Sequence, residues 1–166
     1  LVIGDEPGLP YQRPPLSKAF LAGEKSADEL LIRPAALYEK QNVQFQQGSV
    51  TGINRNGKTI TLSDESELSY DKLALCTGAR VRKLNLPGNE LAGVHYLRNM
   101  ADVEGIKHGL AEGQQAVIIG GGYIGLETAA SLRKQGLSVV LLESAKRILQ
   151  RVTAPEVSAF YHRVHT

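Results

Sequence analysis

The chain has 166 residues, of which 42% are hydrophobic and 22% are charged, enough for one ordinary domain with a core. The formal net charge of +2 gives no broad electrostatic basis for binding nucleic acid or an acidic membrane, and no apolar run approaches the roughly 20 residues of a membrane span. The single cysteine, Cys76, excludes an internal disulfide framework and predicts a reducing, cytoplasmic compartment, and the four histidines suggest no metal site.

Short elements are predicted in the first part of the chain. A strand is expected over residues 1–4, an irregular proline-rich segment over 7–15, a short helix over 15–23 and a second helix over 35–41. Further strands are expected over 43–45, 49–54 and 58–62. The last two flank Asn56 and Gly57, a pair typical of hairpin turns.

The middle and the end of the chain predict longer elements. Residues 72–76 include the apolar run LALC, which predicts a buried strand, so Cys76 is interpreted as a buried small hydrophobe rather than a nucleophile. Glycine and proline punctuate residues 77–93, which are expected to form a connection. Helices are expected over 99–111 and over 154–164, the second with Pro155 near its first position.

The strongest functional signal lies in residues 116–143, AVIIGGGYIGLETAASLRKQGLSVVLLE. The pattern predicts a strand, a glycine turn, a helix and a second strand that ends in an acid. The glycines of the turn fall in the order G-x-G-x-x-G at Gly120, Gly122 and Gly125. In this setting the motif is the fingerprint of a dinucleotide-binding unit, and the alternative is a glycine turn in a βαβ unit that binds no ligand.

Each glycine of the fingerprint has a physical reason. Gly120 permits the tight turn out of the strand, and Gly122 lacks a Cβ, so that a pyrophosphate can approach the backbone. Gly125 allows the helix and the strand to pack closely. The three positions together predict a binding site for a dinucleotide.

The helix start and the terminal acid complete the predicted site. The helix is expected to begin near Tyr123 and Ile124, where free N–H groups and the helix dipole attract an anion. Glu143 can accept hydrogen bonds from ribose hydroxyls and would repel a 2′-phosphate, which favours NAD over NADP. Arg151 is a candidate contact to the nucleotide or part of a solvated basic face, and the second interpretation is preferred for Arg147.

An acid also ends the first predicted strand, at Asp5 and Glu6, and this hints at an internal duplication. If Asp5 ends the second strand of a nucleotide-binding fold, the first strand and its glycine loop are expected before Leu1. The sequence begins in LVIG without an initiator Met or a signal-peptide pattern. We therefore expect a fragment that is cut at both ends.

Four blocks of this sequence resemble the FAD-dependent NADH:ferredoxin reductases, a branch of the pyridine nucleotide-disulfide oxidoreductase superfamily that lacks the redox dithiol. The blocks are IGDEPGLPYQRPPLSKAFLAG, YDKLALCTGARVRKLNLPG, HYLRNMADVEGI, and VIIGGGYIGLETAASL with RVTAPEVSAFY. The resemblance implies an α/β, Rossmann-like FAD/NAD(P)-binding fold. Residues 1–112 would form a partial FAD-binding domain without its first βα unit, and residues 113–166 the N-terminal part of an inserted NAD-binding domain.

The resemblance implies contacts to FAD in the first part of the chain. Asp5 matches the acid that holds the adenosine ribose, and Val50 matches a residue that contacts the adenine through its backbone. Thr77 and Gly78 match a turn that passes the FAD. The alternatives are a turn role for Asp5 before Pro7 and a strand-ending turn at Thr77.

Three residues are expected near the flavin, and a fourth belongs to the flavin domain. Lys18 matches the lysine near the flavin N5, where a positive charge would favour the reduced ring, and Glu127 matches the glutamate that pairs with it. These two are the candidate catalytic residues. Arg13 lies in the block QRPPLSK, which runs beside the flavin in the family, and Arg98 matches an arginine of the flavin domain. The alternatives are a solvated Lys18, an Arg13 that caps carbonyls, and a Glu127 that gains roughly 0.3–1 kcal/mol from the helix dipole.

The function that the resemblance implies is electron transfer from NADH through FAD to a [2Fe–2S] ferredoxin that serves a P450 or a ring-hydroxylating oxygenase. Disulfide reductases of the superfamily carry redox cysteines where this chain has PPLSKAF, so a dithiol mechanism is not expected. The alternative is an NAD- and FAD-binding sensor or interaction module of the apoptosis-inducing-factor type. Residues 1–166 alone are expected to be inactive and not to retain FAD.

Overall fold

The structure is a computed structural model that describes residues 1–111 and 113–165. The strands are β1 (Val2–Gly4), β2 (Phe45–Gln47), β3 (Val50–Asn54), β4 (Thr59–Leu62), β5 (Glu67–Ser69), β6 (Gln115–Ile119) and β7 (Ser138–Leu142). The α-helices are α1 (Ala35–Lys40), α2 (Met100–His108), α3 (Tyr123–Lys134) and α4 (Pro155–His165). Single 3₁₀ turns lie at Pro14–Ser17 and Asp28–Leu30.

The chain forms two compact units, each built from two segments. The first unit comprises Leu1–Tyr11 and Leu31–Ala79, and the second comprises Gln12–Leu30 and Arg80–Thr166. The predicted domain boundary falls at residue 112, which lies outside the described residues. The division into domains 1–112 and 113–166 therefore stays a prediction.

The first unit holds a parallel strand pair and an antiparallel sheet. In the parallel pair, β1 lies beside β2 with Val2 opposite Phe45, and the Phe45 ring meets the edge of Tyr38 from α1 at a centroid distance of 4.9 Å. The strands β3, β4 and β5 form the antiparallel sheet in that order. The antiparallel pairing of β3 and β4 confirms the predicted hairpin. The central strand β4 buries Ile60 and Leu62, which form the core of this sheet.

The second unit contains the predicted strand–helix–strand element. β6 and β7 pair in parallel, with Gln115 opposite Ser138 and Ile119 opposite Leu142, and α3 connects them. α3 contacts both strands and buries an apolar stripe of Leu126, Ala129 and Leu132. This part of the predicted fold is confirmed, including the helix start at Tyr123.

The other two helices of this unit also match their predicted positions. α2 begins with a capping box, in which the Asn99 side chain accepts a hydrogen bond from the N–H of Asp102 and Asp102 accepts one from the N–H of Asn99. The helix ends at His108, three residues before the predicted end, and Gly109 is its C-cap residue. α4 begins at Pro155, where a missing N–H costs no hydrogen bond.

Three details of the sequence prediction differ from the structure. The segment predicted as a helix over residues 15–23 is a 3₁₀ turn over Pro14–Ser17 followed by further turns, because Lys18 leaves helical geometry at φ −123° and ψ −112°. The strand expected over 43–45 lies at Phe45–Gln47. The short polar strand β5 was not predicted, and it forms because it pairs with β4.

The prediction of a buried strand over residues 72–76 is wrong. Leu75 is 67% exposed and Cys76 is exposed, so the interpretation of Cys76 as a buried hydrophobe is wrong as well. A strand exists only through pairing with a neighbour, and none of the strands in residues 1–111 and 113–165 pairs with this segment. None of the described helices is long and apolar enough to cross a membrane.

Candidate functional site: the glycine turn and the Lys18–Glu127 pair

The turn between β6 and α3 is built as its glycines require. Gly120 has φ +114°, a conformation that side chains rarely adopt, and its N–H donates to the carbonyl oxygen of Leu142 at 2.8 Å. A Cβ on Gly125 would lie 2.0 Å from the carbonyl oxygen of Gly120. The steric reasons predicted for these two glycines are therefore confirmed.

The N-terminus of α3 opens towards free space. Gly122 is the N-cap residue, and no side chain of the described residues caps the helix there. A Cβ on Gly122 would meet no heavy atom of the described part of the chain within 4 Å, apart from its chain neighbours. The side chains of Tyr123 and Ile124 are exposed. The N–H groups of the first turn are thus available to an anion, whose charge the helix dipole favours.

Glu143 lies against the glycine turn and is held there by backbone N–H groups. Its Oε2 accepts a hydrogen bond from the N–H of Gly121, and its Oε1 accepts one from the N–H of Ala145, both at 2.7 Å. These two bonds stabilise the carboxylate and lower the pKa of Glu143 below its ordinary value. A carboxylate has further lone pairs, so Glu143 can still accept hydrogen bonds from hydroxyl groups.

Gly121 is a residue of the candidate site that the sequence reasoning missed. A Cβ at this position would lie 2.8 Å from Cγ2 of Ile148 and 3.2 Å from Oε2 of Glu143. The G-x-G-x-x-G pattern leaves this position open, and the run of three glycines was the available signal. Gly121 lets the acid and the turn approach each other.

The loop after Glu143 is fastened to both the glycine turn and α4. The N–H of Leu149 donates to the carbonyl oxygen of Gly121 at 2.8 Å. The buried hydroxyl of Ser158 donates to the carbonyl oxygen of Ile148 at 2.7 Å. Arg147 donates to Ser158 and to the carbonyl oxygen of Gln150. Arg147 thus anchors this loop, which corrects its interpretation as part of a solvated helix face.

Arg151 follows in the same loop and is exposed. Its contact with a nucleotide stays a prediction. The glycine turn, the free helix N-terminus and Glu143 together provide a place for phosphate groups and an acceptor for ribose hydroxyls, the two requirements of a dinucleotide site. The described residues therefore fit such a ligand.

Lys18 and Glu127 form an ion pair between the segment after the first 3₁₀ turn and α3. The Lys18 Nζ lies 2.8 Å from the Glu127 Oε2, and the two side chains are 50% and 30% exposed. The same oxygen accepts a hydrogen bond from the Ser17 hydroxyl at 2.6 Å. Partial burial raises the pKa of Glu127, but the hydrogen bonds from Lys18 and Ser17 and the Lys18 charge outweigh it and lower the pKa. Glu127 is therefore ionised at neutral pH.

A cleft of about 220 Å³ lies beside this pair. Its other walls are Ala19, Ala22, Glu24, Ala130, Ser131 and Lys134. Of these residues, Lys134 and Glu24 form a second ion pair at 3.7 Å. Charged groups of both signs thus line a small space next to Lys18.

Arg13 and Arg98 are brought together by the structure. The Arg13 guanidinium donates to the carbonyl oxygen of Arg98 at 2.9 Å, and the N–H of Arg98 donates to the Asp102 carboxylate at 2.8 Å. The alternative interpretation of Arg13, that it caps a carbonyl, describes this contact. The contact of either arginine with a flavin stays a prediction.

The remaining candidate residues lie in the first unit. Asp5 follows β1, is exposed, and accepts a hydrogen bond at its backbone carbonyl from Gln47 at 3.3 Å. Val50 begins β3 at an irregularity in the strand register. Thr77 and Gly78 lie in an exposed irregular segment, in which Gly78 has φ +64°. Their roles towards FAD stay predictions.

Comparison with known proteins identifies the family of this chain and several similar proteins. The family model for pyridine nucleotide-disulphide oxidoreductases matches residues 1–166. A probable ferredoxin reductase of Castellaniella defragrans is 43% identical over 166 residues, which cover 99% of this chain and 41% of that protein. Putidaredoxin reductase of Pseudomonas putida is 45% identical over 168 residues, which cover 99% of this chain and 40% of that protein. The chain thus spans about two fifths of the length of these curated relatives.

Two solved structures match nearly all of this chain. The ferredoxin reductase for the CYP199A2 system of Rhodopseudomonas palustris has a TM-score of 0.92 at 38% identity and matches 98% of this chain and 40% of its own. The covalent putidaredoxin reductase–putidaredoxin complex has a TM-score of 0.89 at 45% identity with the same coverage. The fold is thus the corresponding portion of an α/β FAD/NAD(P)-binding fold.

Proposed function

The chain belongs to the pyridine nucleotide-disulphide oxidoreductase family, and on that premise we propose that it is part of a flavoprotein reductase. This reductase passes electrons from NADH through FAD to a [2Fe–2S] ferredoxin, which serves a P450 or a ring-hydroxylating oxygenase. Relatives that are 43% and 45% identical are named as ferredoxin and putidaredoxin reductases, which supports the proposal. Within it, residues 1–112 belong to the FAD-binding domain and residues 113–166 to the NAD-binding domain.

The observation that carries the proposal is that one helix bears both parts of the candidate site. The glycine turn leads directly into the N-terminus of α3. Glu127 follows one helical turn later, and its Oε2 lies 2.8 Å from the Lys18 Nζ. A nucleotide on the helix N-terminus and a cation beside a redox group are therefore positioned by a single rigid element. This arrangement suits transfer of electrons between two bound cofactors.

The NAD-binding residues are proposed from the geometry of the glycine turn. A pyrophosphate would be held over Gly122, where no side chain is in the way, and the first-turn N–H groups at Tyr123 and Ile124 would donate to it. Glu143 would accept hydrogen bonds from the adenosine ribose. Its negative charge disfavours a 2′-phosphate, so NADH is the preferred substrate.

The residues proposed to contact FAD are those that match FAD-binding positions of the family. They are Asp5, Arg13, Lys18, Val50, Thr77, Gly78 and Arg98. When bound, FAD supplies the exchange between two-electron transfer from NADH and one-electron transfer to the ferredoxin. The protein supplies the binding groups and the electrostatic environment.

Lys18 is the residue whose charge matters most in this proposal. Its ammonium group also donates to the carbonyl oxygen of Pro14 at 3.3 Å, so that two acceptors hold it in place. Ionised Glu127 keeps the ammonium oriented, because it lies on a helix that packs against two strands. A fixed positive charge stabilises negative charge that develops beside it.

Steady-state kinetics of the complete flavoprotein test this function. NADH is expected to reduce a [2Fe–2S] ferredoxin and an artificial acceptor, and NADPH is expected to be the weaker donor. If the protein holds FAD and binds NADH but reduces neither acceptor, the enzyme assignment is wrong. That result would leave the alternative of a sensor or interaction module.

A further inference from the structure

The hydroxyl of Ser17 occupies a buried position at the Lys18–Glu127 pair. Ser17 is only 4% exposed, and its hydroxyl donates to the Glu127 Oε2 at 2.6 Å. Lys18 contacts the same oxygen atom at 2.8 Å. One carboxylate oxygen therefore receives two donors from adjacent residues of the chain.

Polar side chains on one face of α3 fix the backbone around Ser17. Glu127, Ser131 and Gln135 follow one another at intervals of four residues, so they lie along one side of the helix end. The Ser131 hydroxyl, itself buried, donates to the carbonyl oxygen of Ser17 at 2.8 Å, and the Gln135 amide donates to that of Leu21 at 3.3 Å. The position of Ser17 relative to α3 is thus set by contacts other than its own hydroxyl.

We propose that Ser17 is a positioning residue, which orients the Glu127 carboxylate and, through it, the Lys18 ammonium. The inference rests on the proposed function, because it assigns the oriented ammonium to the flavin reaction. Ser17 itself contacts neither of the proposed cofactors in this account.

The physical basis is the directional nature of a hydrogen bond to a charged acceptor. Such bonds are short and strong, and a buried hydroxyl loses little entropy in making one. With the Ser17 donor present, Oε2 is held by both Ser17 and Lys18. Without it, the carboxylate is free to rotate, and the Lys18 ammonium keeps only the Pro14 carbonyl as a fixed acceptor.

The surrounding charges do not replace the Ser17 hydroxyl. Lys18 faces Glu127 from the segment after the 3₁₀ turn, and Glu24 and Lys134 line the same cleft. Glu24 and Lys134 pair with each other. Loss of the Ser17 donor therefore weakens the stabilisation of ionised Glu127, while the partial burial that opposes ionisation remains.

The first test follows the Glu127 carboxyl carbon by NMR in the full chain labelled with carbon-13 glutamate, assigned by its loss in Glu127→Gln. The titration midpoint of Glu127 is expected to move to higher pH in Ser17→Ala. Ser17→Cys, of similar size with a weaker donor, is expected to fall between Ser17→Ala and the wild type. If Ser17→Ala does not fold, the Ser17→Cys comparison decides the outcome.

The matched control is Ser131→Ala. It removes the buried hydroxyl that donates to the Ser17 carbonyl oxygen but leaves both donors to Glu127, Ser17 and Lys18, in place. Its midpoint is expected to stay at the wild-type value, because the Gln135 amide still holds this segment against α3 through the Leu21 carbonyl. If Ser17→Ala and Ser131→Ala give the same midpoint, Ser17 has a packing role only and the inference is overturned.

The second test uses the complete flavoprotein and the pH dependence of flavin reduction by NADH. The acid limb of the rate profile is expected to move to higher pH in Ser17→Ala and not in Ser131→Ala, with NADH affinity unchanged in both. A wild-type flavoprotein that NADH does not reduce would refute the proposed function. An active wild type whose acid limb is unmoved in Ser17→Ala would refute the inference alone.

Discussion

The carbonyl oxygen of Gly120 lies 2.0 Å from the position that a Cβ on Gly125 would occupy. No contact between non-bonded atoms is that short, so the strand end and the first turn of α3 fit together only without a side chain at residue 125. The obstacle is a backbone atom, which cannot move aside as the end of a side chain can. This contact fixes how closely the helix approaches the strand.

Gly125→Ala is expected to destabilise the fold. Relief of the contact requires α3 or the turn to shift, and overpacking of this kind costs about 1–3 kcal/mol. Urea unfolding followed by circular dichroism measures the change in the free energy of unfolding. An unchanged midpoint would show that the turn is less tightly packed than the structure has it.

Gly122→Ala is the matched variant, with the same chemical change three residues away. Its Cβ would meet open space, and φ −83° suits alanine, so the loss of stability is expected to stay below about 1 kcal/mol. The same Cβ occupies the space assigned to the pyrophosphate, so NADH affinity is expected to fall about tenfold or more. Calorimetric titration with NADH checks this, and unimpaired binding would place the nucleotide elsewhere.

Local patterns in the sequence predicted the elements around the glycine turn well. The G-x-G-x-x-G spacing, the apolar flanks and the terminal acid determine β6, α3 and β7, because each of these signals acts within a few residues. The same reasoning failed for residues 72–76, since an apolar run becomes a strand only if a partner strand lies beside it. No local pattern reports whether that partner is there.

The nucleotide preference is expected to change in Glu143→Ala combined with Ser144→Arg. This removes a carboxylate that repels a 2′-phosphate and adds a guanidinium that attracts it. The ratio of kcat/KM for NADPH to that for NADH is expected to rise about tenfold or more. If the ratio does not move, Glu143 does not contact the ribose.

The stability contribution of Glu143 is expected to depend on pH. Its pKa is lower in the folded chain than the unfolded value of 4.5, because the N–H groups of Ala145 and Gly121 bind the carboxylate. The unfolded chain therefore binds more protons near that pH, and the contribution is present above pH 4.5 and lost as pH falls through the folded pKa.

Glu143→Gln provides the comparison for this prediction. The wild type is expected to exceed the variant in the free energy of unfolding at neutral pH, and the difference is expected to shrink on acidification. Urea unfolding at a series of pH values measures it. A difference that is constant with pH would mean that the carboxylate charge contributes nothing to folding.

The coupling between Lys18 and Glu127 can be measured with a double-mutant cycle of Lys18→Met and Glu127→Gln. Because the pair is partly exposed, its coupling energy in stability is expected to be modest, about 0.2–1 kcal/mol. The pair Lys134–Glu24 is the control, since it is longer at 3.7 Å and more exposed. A larger coupling for the control pair would contradict the geometry described above.

The candidate site was only partly predictable, and Ser17 shows why. The pairing of Lys18 with Glu127 was expected from a family resemblance and is present at 2.8 Å. The Ser17 contact with the same carboxylate joins residues 110 positions apart in the sequence, and no local pattern marks a serine for it. Gly121 was overlooked because its neighbours Glu143 and Ile148 approach only in the folded chain.

An anaerobic titration of the complete flavoprotein with NADH, followed by its visible absorbance, tests whether electrons pass from NADH to FAD in this reductase. A yellow protein is expected, whose flavin band is bleached as NADH is added, with an end point at one NADH per flavin. The band is expected to return when oxidised [2Fe–2S] ferredoxin is added. A colourless protein, or a flavin band that NADH leaves unchanged, would show that the chain is not part of an NADH-dependent flavoprotein reductase.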